Sequence, residues 1–162
     1  MLECRAAATF VVLAGLGLGL ANIRSNHGTT VSVTLKRAIF LLVLGLLYAL
    51  VFEADILHYF AFYFLFGVSL LRLQTHALVT LIALLNIAFV LLVIMLDYEH
   101  SWNWSDYCYA DFWTPVGFVR NLFFNGFHPV IPWLSFLLFG FLLSRISLAK
   151  RSTQNRLILS GF

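Results

Sequence analysis

The sequence predicts an all-α, multi-pass transmembrane helix bundle of about five spans, with the N-terminus outside and the C-terminus inside. Three observations predict it. Of the 162 residues, 62% are hydrophobic and 10% are charged, whereas soluble domains average about 25% charged residues, so the polar surface a water-soluble fold needs is missing. Five continuously apolar runs occupy residues 6–21, 38–52, 56–71, 77–96 and 130–144; continuous runs suit helices, whereas a barrel needs alternation. Finally, the charges sort by side. The gaps after the first, third and fifth runs hold Arg24, Lys36, Arg37, Arg72, Arg145, Lys150, Arg151 and Arg156, eight of the ten Lys and Arg, and no acid. The N-terminus and the two remaining gaps hold all seven acids, Glu3, Glu53, Asp55, Asp97, Glu99, Asp106 and Asp111, joined only by Arg5 and Arg120. Cytoplasmic loops retain Lys and Arg, which fixes the orientation.

The first run has Glu3 beside Arg5 before it and Arg24 after it. A cleaved signal has the reverse polarity, so a retained N-out helix is expected. Gly15 and Gly19 form a GxxxG in it, a pattern that lets a second helix approach closely. The runs at 38 and 130 fall short of the roughly 20 residues that an apolar core about 30 Å thick requires; tilt or interfacial flanks must make up the difference. The fourth run is long enough and carries Asn86 in its middle, where an amide is expected to hydrogen-bond a neighbouring helix. Residues 97–129 form an outer loop longer than an ordinary helix connection. Its Tyr98, Trp102, Trp104, Tyr107, Tyr109 and Trp113 read mostly as an interfacial aromatic belt. Pro115 starts a short interfacial helix reaching about residue 124, and Asn125 with Gly126 turns the chain. A cytoplasmic tail, 145–162, ends in a fresh apolar hint at 157–159. There are no repeats, and residues 1–162 read as a single membrane domain.

The net charge of +3 comes from juxtamembrane cations, which argues for a lipid bilayer as partner and against nucleic acid. Cys4 and Cys108 both fall on the outer side, where a disulfide is topologically possible, though free thiols are the expected state. No metal-ligand spacing, GxSxG or phosphate-cradling glycine loop occurs.

Two clusters can carry chemistry. Asp55, Tyr59 and Tyr63 share a helix face at the outer end of the third run, with His58 beside Asp55 at i+3. Asp55 can orient the imidazole and raise its basicity for general base work, and can equally cap the helix start. His58 lies one turn into an apolar run, where an ionisable group usually faces the bundle interior. The second cluster runs from Arg120 through Asn125 and His128 to Trp133, with Pro129 and Pro132 as a rigid lead into the fifth run. Arg120 is suited to an anion or to pairing with Asp111. The candidate catalytic residues are therefore His58, Asp55 and His128; the candidate substrate-binding residues are Arg120, Asn125, Trp133 and Tyr59.

The stretches DILHYF from Asp55 and NGFHPVIPWLSFLLFGFLLSR from Asn125 resemble the membrane acyltransferases related to heparan-α-glucosaminide N-acetyltransferase, in particular their uncharacterised bacterial relatives. ATFVVLAGLGLG from Ala8 is similar to that family's second helix, and Lys36 with Arg37 to the basic pair before its third. The HPVIPW stretch with its downstream Gly and Arg is the specific part. The resemblance implies a multi-helix fold, acetyl-CoA as a cytoplasmic co-substrate that is not permanently bound, an amino sugar as acceptor on the far side, and a histidine serving the transfer. The family's first helix, which carries its catalytic histidine, and its C-terminal half have no counterpart here. The expectation is a fragment, completed by a missing-half partner or a homo-oligomer, so His58 and His128 stand as candidates from their own setting and not by inheritance. Two functions are thus carried forward: a partial acyltransferase domain in the cell membrane, and a non-enzymatic membrane module such as a transporter part or a lipid- or solute-binding scaffold.

Overall fold

The structure, a computed structural model, describes residues 2–52 and 54–146, the side chains of 2–4 excepted. Glu53, Cys4 as a disulfide partner, and the tail from residue 147 lie outside the described residues. Helices α1 (Leu2–Arg24), α2 (His27–Ala49), α3 (Leu57–Ser69), α4 (Thr75–Met95) and α6 (Val130–Ser144) form an up-and-down bundle, with the short α5 (Pro115–Arg120) and a π-helical turn (Asn121–Asn125) before the last helix. Each of the five apolar runs becomes a helix. Three helices are long and apolar enough to cross a membrane: residues 5–24 of α1, all of α2 and all of α4. A fourth span results if α5, the π turn and α6 count as one segment bent by 48°. The fold is an all-α membrane bundle. At 13 residues α3 is shorter than a full span, and it is sheltered by α2 on one side and α6 on another.

The second helix begins at His27, well before its apolar run. Lys36 and Arg37 therefore stand on α2 and not in a loop. The link from α1 is reduced to Ser25 and Asn26, and Thr30 and Thr34 turn inward and are buried. A stretch rich in Ser and Thr lowers hydropathy without breaking a helix, which is why the apolar run marks the start too late.

Packing follows the small residues. α1 lies against α6, where a methyl on Gly15 would strike the Leu137 backbone, one on Gly140 the Val12 carbonyl, and one on Gly19 the Ser144 side chain. Apolar surface gains little by leaving lipid, so close backbone approach of this kind is what holds membrane helices together. The buried core gathers Val11, Leu18, Tyr59, Tyr63, Leu78, Leu137 and Leu138. α4 fully buries only Leu78, rests Leu81, Ile82 and Leu85 partly against the core, and turns its opposite face outward. Asn86 accordingly donates to the Ile82 carbonyl of its own helix at 2.8 Å instead of reaching a neighbouring helix, because it is on the open side of α4.

The helix order puts Arg24, Arg72 and Arg145 at one end of the bundle and Asp55, Asp97 and Asp111 at the other. Arg145 ties its end together, donating to Thr75 Oγ1 at 3.0 Å and the Leu73 carbonyl at 2.6 Å. At the acidic end the long loop is ordered by a small hairpin, β1 (Trp102–Asn103) against β2 (Cys108–Tyr109), with Trp102 opposite Tyr109. Its flanking Ser101 and Tyr107 adopt positive φ values of 69° and 55°. Trp104, Tyr107 and Trp113 stay exposed, as a belt requires, whereas Tyr98, Trp102 and Tyr109 turn inward as hydrogen-bonding anchors. Cys108 is a free, exposed thiol.

Candidate active site

The site at the acidic end is built on the first turn of α3. Asp55 accepts from the backbone N–H of Leu57 at 2.9 Å and of His58 at 3.4 Å, so it caps the helix start. The same Oδ2 lies 3.4 Å from His58 Nδ1. Capping and orienting the imidazole are thus performed by one carboxylate oxygen. α2 approaches this turn so closely that a methyl on Gly45 would collide with the His58 backbone. His58 is fully buried, its ring 3.9 Å from that of Tyr59 and edge-on to Phe112.

One turn further, the face of α3 grips the chain before α6. The Tyr59 hydroxyl donates to Asn121 Oδ1 at 2.6 Å and accepts from the Phe127 N–H at 3.1 Å. Tyr63 donates to the His128 carbonyl at 2.6 Å. Residues 127 and 128 are therefore held through their backbone by two buried phenols, which leaves the His128 ring free to turn toward Trp133 at 4.5 Å and Tyr59 at 6.2 Å between ring centres. Asp55 and His128 line one open cavity of about 310 Å³, together with Ala7, Tyr48, Phe52 and Phe127. His58 sits immediately behind it. Three buried polar atoms lack a hydrogen-bond partner among the described residues: His58 Nε2, Asn121 Nδ2 and His128 Nδ1. Two of these are imidazole nitrogens of the same cluster, and unmade hydrogen bonds are costly enough that each calls for a reason.

The remaining candidates stand apart. Arg120 donates through Nε to the Tyr109 hydroxyl at 2.7 Å, and through Nη2 to Ser101 Oγ at 2.8 Å and to Asp111 Oδ2 at 3.0 Å. The hydroxyl of Ser101 and the guanidinium of Arg120 hold the Asp111 carboxyl below its usual range. Asn125 accepts from the Tyr109 hydroxyl at 2.9 Å and donates to the Tyr98 and His100 carbonyls at 3.1 and 2.9 Å. Arg120 and Asn125 thus organise the outer loop, and Trp133 packs as a wall of the His128 niche. The structure brings together Asp55, His58, Tyr59, His128 and Trp133, and seats Arg120 and Asn125 one layer outward. Asn121 and Gly126, whose lack of a side chain admits the Tyr59 hydroxyl, fall within the second cluster marked in the sequence but carried no site role there; the Asn121 contact with Tyr59 joins residues 62 positions apart and exists only once the chain has folded back. Among the described residues no cluster of His, Cys, Asp or Glu could hold a metal.

Fold and site together define a helical membrane protein with a histidine–carboxylate cluster at one end of its bundle. The family described as heparan-alpha-glucosaminide N-acetyltransferase, catalytic, matches residues 1–160, and the chain belongs to that family of membrane acyltransferase-like proteins. No curated protein and no solved structure matches it.

Proposed function

We propose that the protein transfers an acyl group, acetyl in the first instance, from acyl-CoA to the amine of a sugar-like acceptor outside the cytoplasm, and that it works in the plasma membrane. The observation that carries this reading is the cavity shared by Asp55 and His128, with His58 buried behind it on the same carboxylate. The acceptor nitrogen attacks the thioester carbonyl carbon; the C–N bond forms, the C–S bond breaks, and the surplus amine proton leaves through an imidazole to the departing thiolate. His128 faces the cavity and is the base in contact with the acceptor. Asp55 and His58 are positioning residues that set the electrostatics beside it. Acetyl-CoA is a co-substrate in this scheme, and a second copy or a further helix-bearing partner is the proposed supplier of any additional donor-side surface.

The test is transfer of radiolabelled acetyl from acetyl-CoA to glucosamine by the purified chain in proteoliposomes. Wild type is expected to transfer. His128→Ala is expected to lose 10²-fold or more, the usual contribution of a positioned acid–base group, with its thermal stabilisation by acetyl-CoA intact. A folded wild type that neither transfers nor is stabilised by acetyl-CoA overturns the reading in favour of a non-enzymatic membrane module.

A further inference from the structure

α1 packs along α6 and α2 along α3, and α1 and α2 themselves touch little. The cleft between them is floored by Phe60 and Phe64 of α3 and holds two adjoining cavities. The one nearer the acidic end, about 460 Å³, is apolar throughout, with Phe10, Leu41, Phe60 and Phe64 in its wall. The second, about 330 Å³, shares Ala14 and Phe64 with the first and extends to the basic end. Its wall has a different chemistry: Ser25, Thr29, Thr30, Thr34 and the cation Arg37.

Arg37 is the odd residue. It stands ten positions into α2, roughly 15 Å along the helix at 1.5 Å per residue. No ion pair or hydrogen bond to it is present among the described residues. A cation on a spanning helix that faces a cavity marks a ligand or pathway more often than a structural role. A guanidinium backed by hydroxyls matches a phosphate, which it can grip with two parallel N–H bonds. The adjoining cavity offers only apolar surface, which suits a hydrocarbon chain and nothing charged.

We propose that the α1–α2 cleft holds one anionic phospholipid, its phosphate at Arg37 and Thr34 in the lower cavity, and one acyl chain in the apolar cavity above. Charge complementarity selects the occupant: a helix from another chain would leave Arg37 unanswered, and a soluble anion would leave the apolar half unfilled. The apolar cavity borders the Asp55 and His128 cavity at Ala7 and Ile56, whereas the Arg37 end shares no wall residue with it, and the proposal does not depend on acyl transfer.

Gly17 supplies a clean blocking variant. It lines the lower cavity, and no neighbouring helix comes within 4 Å of where its Cβ would stand, so a Gly17→Leu side chain starts in open space on the cleft wall. The full chain is purified with equimolar phosphatidylglycerol and phosphatidylcholine, and retained lipid is counted by native mass spectrometry. Wild type is expected to keep one phosphatidylglycerol per chain, several-fold in excess of phosphatidylcholine. Arg37→Gln is expected to erase the preference, and Gly17→Leu to abolish retention while its lipid-free melting temperature stays near wild type. Equal retention of the two lipids by wild type, or a preference that survives both substitutions, overturns the proposal. So does competitive loss of the lipid to palmitoyl-CoA at equal concentration, which would make the cleft a donor path. Because no readout involves transfer, the acyltransferase reading stands or falls separately.

Discussion

Single atoms decide the site. The Tyr59 hydroxyl serves two partners, Asn121 and the Phe127 N–H, so Tyr59→Phe strands a buried acceptor and a part-buried donor at once. Leaving one such group unpaired costs about 1–3 kcal/mol. Tyr59→Phe is expected to lower stability in detergent by at least that much, and more than Tyr63→Phe, whose hydroxyl serves only the His128 carbonyl; denaturation of the two variants side by side checks the order. Asp111 gives a pH signature. Its carboxyl is held low by the Ser101 hydroxyl and Arg120. A depressed folded value means the contribution is complete above the ordinary carboxyl value of about 3.9 and is lost as pH falls through the lowered one. The order of the outer loop, read by fluorescence of Trp102 and Trp104, is therefore expected to hold at pH 5 and to fade in the acid range below 4. In Asp111→Asn the loop is already loosened at neutral pH, and that acid step is missing.

At the scale of the helix, the glycines of α1 are not equivalent, although they look alike in sequence. Gly15 meets the Leu137 backbone and Gly17 meets nothing. Gly15→Val forces α1 away from α6, and overpacking of this kind costs typically 1–3 kcal/mol or more. Gly17→Ala is expected to be neutral or stabilising by up to about 1 kcal/mol, since Ala is the better helix former. Melting of the two variants in the same detergent tests the contrast, and equal losses would sink it. This case also shows what the sequence could carry. The GxxxG of Gly15 and Gly19 was legible because it is a spacing along one helix, and the capping by Asp55 because it is local. The partner surface at Gly140 was not, nor was the anchoring of Asn125 by carbonyls 25 and 27 residues away, because such pairings exist only once the loop has folded back. The start of α2 escaped for a different reason: hydropathy reports lipid contact, whereas the helix continues through Thr30 and Thr34 on hydrogen bonding alone.

For the whole molecule, charge placement carries the orientation. Arg24, Arg72 and Arg145 collect at the end where α1 stops, α3 turns into α4 and α6 stops, while Asp55, Asp97 and Asp111 collect at the end that bears the site. This arrangement follows from the order of the helices and needs no side-chain detail, which is why it could be read from sequence before any contact was known. Retention of Lys and Arg on the cytoplasmic side is expected to set the Asp55 and His128 cavity toward the outside, and the Arg37 cavity toward the cytoplasmic leaflet, where anionic lipids supply the attraction for basic residues. Cys108, free and exposed in the outer loop, reports the orientation directly. In intact cells a membrane-impermeant maleimide is expected to label Cys108 in a Cys4→Ser background. A cysteine placed at Gln74, in the turn between α3 and α4, with Cys4 and Cys108 both replaced by serine, is expected to react only after permeabilisation. The opposite pattern would invert the bundle, turn the candidate catalytic cavity toward the cytoplasm, and leave an extracytoplasmic acceptor without access to His128.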